Sequence, residues 1–171
     1  LAKGGQVKIY RYNGGHTLFD PTVGIIGNSG NAAYTGALVN VPSGVNMIMR
    51  GIDLDGYYKN GDASTMVTAA APLVSIENGG TLELNQRVLL EQNYNTNNGG
   101  AVSIAKGGTL MMNQDAQIKD NKTNGEGAGV YMNGTMIASD QVKVWDNKKG
   151  EAQNNVYLAD KTSVLQIGVN D

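Results

Sequence analysis

The chain has 171 residues, with 13 Lys and Arg against 15 Asp and Glu, and a pI near 5.3, so it lacks the basic footprint of a nucleic-acid or anionic-lipid binder. Having no Cys excludes disulfide frameworks, thiol nucleophiles and thiolate zinc sites, and a lone His16 leaves little room for imidazole chemistry. Twenty-four glycines and only 3 prolines, in a chain 40% hydrophobic and 16% charged, suit many short strands joined by tight turns in one domain, residues 1–171.

Leu1–Gly5 has none of the features of a signal peptide, and no stretch approaches the roughly 18 unbroken apolar residues of a membrane helix. This segment is therefore expected to insert in no membrane, and to be a piece of a longer surface protein. Residues 1–36, with Gly4–Tyr10 and Gly24–Asn28 as faint echoes of the repeats downstream, read as an irregular coil or cap.

From residue 37 to 167 the chain repeats. Leu38–Met47 is a loose first copy, followed by an insertion at 56–71. Leu73–Gln86 recurs as Ala101–Gln114, an offset of 28 from 73 to 101. Gly129–Asp140 keeps the same order with two residues fewer in the turn, and a further copy runs from Asn155 through Ile167. Within a copy, apolar residues alternate with polar ones in three short runs, as in Val74 and Ile76, Leu82 and Leu84, Val88 and Leu90. Period-two strands repeated at constant spacing, with no helical period, predict an all-β solenoid of five to six coils of 26–29 residues.

Asn93, Asn121 and Asn147 recur at spacings of 28 and 26, so each should stack on the one below; Asn85, Asn113 and Ser139 form a second, partial stack. An amide has donors and an acceptor to pass along such a column, and Asn tolerates left-handed backbone. The phrases Asn98–Val102, Gly127–Tyr131 and Asn154–Leu158 resemble the single-stranded right-handed parallel β-helices of the pectate-lyase-like superfamily, and more narrowly the Gly/Asn-rich repeats of bacterial cell-surface adhesin-like proteins. That resemblance implies a secreted or surface-attached module, and leaves adhesin, enzyme and structural stalk all open.

Packing fixes the inward residues, so function is sought on the outward ones. One outward column runs Asn40, Ser75, Ser103, Tyr131, Tyr157; another runs Glu91, Lys119, Trp145. Exposed rings stack on the apolar faces of sugars, which makes Tyr131, Tyr157 and Trp145 candidates to bind a host or environmental glycan, or a surface protein. The plainer reading is that tyrosines are good outward strand residues. The 56–71 insertion adds Tyr57 and Tyr58 beside Arg50, as a binding edge or a tolerated loop. Thr81, Thr109 and Thr135 also align, but their Gly and turn neighbours argue against a wide flat threonine surface.

Superfamily enzymes use clustered Asp, sometimes with calcium. The best matches are Asp120 with Asp146, expected on adjacent coils about one strand spacing apart, and Asp53 with Asp55, which alternate on one strand. No cofactor is required by any motif. The reading is a non-catalytic extracellular module with a ligand-binding face; the alternatives are a polysaccharide lyase or hydrolase, active or not, and a pure stalk.

Overall fold

The computed structural model describes residues 7–10, 35–56 and 68–168. A lone first strand, β1 (Val7–Tyr10), precedes a coil of β2 (Val39–Val41), β3 (Asn46–Arg50), β4 (Ile52–Asp55) and β5 (Thr68–Ala69). The second coil is β6 (Val74–Ile76), β7 (Thr81–Asn85), β8 (Leu89–Glu91) and β9 (Tyr94–Asn95). The third is β10 (Val102–Ile104), β11 (Thr109–Met112), β12 (Gln117–Lys119) and β13 (Lys122–Thr123). The fourth is β14 (Val130–Met132), β15 (Thr135–Ala138), β16 (Lys143–Trp145) and β17 (Lys148–Lys149). After it come β18 (Ala152–Gln153), β19 (Val156–Leu158) and β20 (Val164–Ile167).

Corresponding strands stack into four five-stranded sheets, ordered β2-β6-β10-β14-β19, β3-β7-β11-β15-β20, β1-β4-β8-β12-β16 and β5-β9-β13-β17-β18, here called the first to the fourth. Among the described residues all pairings are parallel except β17 with β18. The fold is thus the parallel β-solenoid expected, with about four turns instead of five or six. Strands β1 and β18–β20 extend the sheets without closing a further turn, which accounts for the difference. Each turn carries four strands, not three: the two-residue strands of the fourth sheet are too short to show alternation. Thr68–Ala69, near the end of the stretch read as an insertion, forms a strand of the fourth sheet.

Alternation places Leu54, Leu90 and Ile118 in one inward column and Ile76, Ile104 and Met132 in another, all at or near zero exposure. Burying each such side chain contributes about 1.5–3 kcal/mol. The Gly-Gly turns have two distinct jobs. Gly79 and Gly107 adopt φ of 77° and 80°, which costs other residues strain. A Cβ on Gly108 would stand 2.9 Å from the Glu77 carbonyl, and one on Gly134 would stand 2.4 Å from the Gly108 carbonyl. The shorter turn of the fourth coil keeps this close-approach glycine at Gly134, without the left-handed glycine that precedes Gly80 and Gly108.

The asparagine column forms as expected. Asn93, Asn121 and Asn147 are fully buried; the Asn93 backbone N–H donates to Asn121 Oδ1 at 3.0 Å, and Asn121 Nδ2 donates to Asn147 Oδ1 at 2.9 Å. Asn155 ends the column, accepting from Asn147 Nδ2 at 3.1 Å. In the partial stack, Glu83 accepts from both Asn85 and Asn113, and Ser139 donates to Asn113 Oδ1.

Candidate functional site

Two outward columns carry the candidate residues, and they have opposite surroundings. On the first sheet, Asn40, Ser75, Ser103, Tyr131 and Tyr157 are in register from β2 to β19. The Tyr131 and Tyr157 rings stack with centroids 5.9 Å apart and planes 12° apart. Tyr157 is 39% exposed and Tyr131 is half-buried. At about 4.8 Å per strand the column is a strip about 19 Å long, passing from amide and hydroxyls to aromatic rings.

On the third sheet, Asp55, Glu91, Lys119 and Trp145 form a column, with Lys8 and Asp53 beginning the next one. Lys8 Nζ lies 3.1 Å from Asp53, 3.0 Å from Asp55 and 2.8 Å from Glu91. The three carboxylates are buried, Asp55 completely. Lys119 bridges Glu91 at 3.1 Å and Asp120 at 3.6 Å, and its ammonium sits 5.9 Å from the Trp145 ring centroid. Burial works against the Lys8 ammonium, but hydrogen bonds to Glu91, Asp55 and Asp53 outweigh it and hold its pKa above the ordinary value. For Asp53 burial is the largest influence and, with Glu91 and Asp55 nearby, raises its pKa despite Lys8. One Asp53 oxygen, Oδ1, is buried without a hydrogen-bond partner among the described residues.

Asp53 and Asp55 therefore do share a face, as expected, but they converge on an ammonium. Among the described residues no group of three or more His, Asp or Glu is arranged to hold a metal ion. Asp120 and Asp146 follow the paired strands β12 and β16 and have φ of 56° and 51°. Each is the left-handed turn residue just before a ladder asparagine, as Gln92 is one coil earlier, with φ of 56°. Their carboxylates turn to different partners, Lys119 for Asp120 and Gln153 Nε2 at 3.3 Å for Asp146.

Trp145, 42% exposed, is on the third sheet and so is not brought together with Tyr131 and Tyr157 on the first. Arg50 is exposed at the end of β3, on the second sheet. Tyr57, Tyr58 and His16 lie outside the described residues. Thr81, Thr109 and Thr135 are in register on the second sheet, but the next outward column reads Ile48, Glu83, Met111, Ile137, Gln166, so no wide threonine face forms. Sequence reasoning missed Lys8, whose nearest carboxylate, Glu91, is 83 residues away; it also missed buried Asn95 and Thr123 of the fourth sheet. Among the described residues no helix is long and apolar enough to cross a membrane.

No protein-family model, curated protein or solved structure matches the chain.

Proposed function

We propose that this solenoid is a non-catalytic, adhesin-like display module of the cell surface or extracellular space, and that the first-sheet column binds an extended glycan. The observation that carries this reading is the Tyr131–Tyr157 stack, half-buried at Tyr131 and exposed at Tyr157, continuous with a row of serine hydroxyls and the Asn40 amide. Aromatic faces take the apolar side of a sugar ring while hydroxyl and amide groups take its polar rim. Every strand below the platform is hydrogen-bonded to its neighbours, so binding spends little on ordering it. The carboxylates an enzyme would need are engaged elsewhere: Asp53, Asp55 and Glu91 are buried around Lys8, and Asp120 and Asp146 serve as turn residues.

The test is retention on a broad glycan array, with and without a calcium chelator, with the bound glycans then assayed for cleavage. Selective retention, no cleavage, and loss of retention in Tyr131→Ala and Tyr157→Ala support the proposal. Cleavage abolished by Asp53→Asn or Asp120→Asn would establish the enzymatic alternative, and a blank array would leave a stalk or a protein-binding surface.

A further inference from the structure

The outward column of the first sheet changes size in one step. Asn40, Ser75 and Ser103 are small, whereas Tyr131 and Tyr157 carry rings, and all five are in register from strand to strand. The two ring planes lie 12° apart with centroids 5.9 Å apart. That separation exceeds the roughly 4.8 Å between strands, so the rings are offset like tiles. Tyr157 covers one face of Tyr131. The opposite face turns back toward the third coil, where the column offers only the side chain of Ser103.

The backbone beside Ser103 keeps that position open. Gly99 has a φ of 76°, and a Cβ on it would stand 3.1 Å from the Ser103 Cβ. On the other side, two residues past Ser103, is the small, exposed Ala105. Further along the column come Ser75 and then Asn40, whose Nδ2 donates to Glu77 Oε1 at 2.7 Å. The result is a shelf with Tyr131 as its wall and Ser103 as its floor, and three strand spacings, about 14 Å, separate that wall from Asn40. The five column residues carry no charge. Ionised groups in the adjoining turns are matched: Glu126 pairs with Lys149, and Asp160 accepts from Thr162 and feels the Lys106 ammonium.

We infer that one uncharged sugar ring of the glycan stands on this shelf, over Ser103 and against the face of Tyr131 that Tyr157 leaves uncovered. The inference rests on the glycan-binding reading above and names the ligand class and the place it occupies. The ring is the next tile of the tyrosine ladder. Its C–H face packs on the Tyr131 ring, while its rim hydroxyls meet the Ser103 and Ser75 hydroxyls. A carboxylated or sulfated ring would lose hydration there with no cation in the column to offset it. Selectivity therefore depends on the shelf being empty, and position 103 must stay small.

Two substitutions at one position separate the shelf from a platform on which the glycan simply lies over the tyrosines. Ser103→Ala and Ser103→Ile both remove the hydroxyl, but only isoleucine fills the shelf. An outward isoleucine already stands on a strand of this solenoid at Ile137, so Ser103→Ile should fold, which circular dichroism would confirm. The probes are neutral glycans and glycans bearing uronic acid or sulfate, on one array, at low and high salt. The parent should retain neutral glycans with no dependence on salt. Ser103→Ala should weaken retention about fivefold at most, the value of one neutral hydrogen bond, and Ser103→Ile about tenfold further, through the lost ring contact. Equal retention in the two variants, with loss in Tyr131→Ala, would overturn the shelf and leave the binding face standing. Preferential, salt-weakened retention of acidic glycans would overturn it as well. A parent that retains no glycan would remove the shelf and the binding face together.

Discussion

The outward columns of the first and third sheets occupy equivalent positions on one scaffold and have opposite fates. On the third sheet, Asp55 and Glu91 are buried and held by Lys8 and Lys119. On the first sheet, Tyr157 and Ser103 face outward with no charged residue in their column. A buried charge is tolerable only when paired, so the third-sheet carboxylates are committed to holding β1 against β4. The first-sheet column is held more lightly: Asn40 Nδ2 donates to Glu77 Oε1 at 2.7 Å, and Tyr131 and Tyr157 stack on each other. Outward position alone therefore does not mark a site; the chemistry that remains uncommitted does.

That contrast is sharpest against the shared asparagine column, where the largest loss is expected. Asn121→Ala would strand the Asn93 N–H and the Leu90 and Lys119 carbonyls in the interior. At about 1–3 kcal/mol per unsatisfied group, a loss of about 3 kcal/mol or more is expected in denaturant unfolding. Next comes Lys8→Met, which leaves three buried carboxylates around an apolar side chain. Because Lys8 is a quarter exposed, the expected cost is about 2–3 kcal/mol, below the full value for breaking a buried pair. Hydrogen exchange should show that loss concentrated in β1 and β4.

The pH dependence sharpens the same comparison. Lys8 has a folded pKa above its ordinary 10.5, so its contribution is complete below that value and is lost as pH rises through the elevated one. Asp53 has a folded pKa above 3.8, so its own contribution favours folding at low pH and falls as pH rises through the elevated value. Mild acid should therefore not loosen β1 through Asp53. In Lys8→Met the carboxylates can relieve the missing ammonium by taking up protons, so the deficit against the parent should shrink from neutral to mildly acidic pH in paired thermal melts.

The smallest effects on stability belong to the exposed rings. Tyr157→Ala gives up one stacked pair, about 0.5–1.5 kcal/mol, yet it should weaken glycan retention at least tenfold. Trp145→Ala loses a solvent-facing ring and a distant cation contact, and should leave both stability within about 1 kcal/mol and retention unchanged.

Much of this arrangement was legible in the sequence, for definite reasons. The inward residues and the Asn93, Asn121, Asn147 column repeat at a fixed spacing, and strand alternation then assigns every outward residue to a column. The fourth sheet was hidden because two residues such as Lys122 and Thr123 carry no period. The Lys8 cluster was hidden because it joins a strand outside the repeat to carboxylates far along the chain, a relation that spacing does not encode. Asp120 and Asp146 attracted attention as paired carboxylates, but the asparagine next to each was the better signal, marking a left-handed corner.

The measurement closest to the central claim compares the parent, Tyr157→Ala and Asp53→Asn on one glycan array, with circular dichroism confirming that all three are folded. The parent and Asp53→Asn should retain the same glycans while Tyr157→Ala loses them. Retention by Tyr157→Ala, with loss in folded Asp53→Asn, would contradict the first-sheet binding face and move the site to the third sheet.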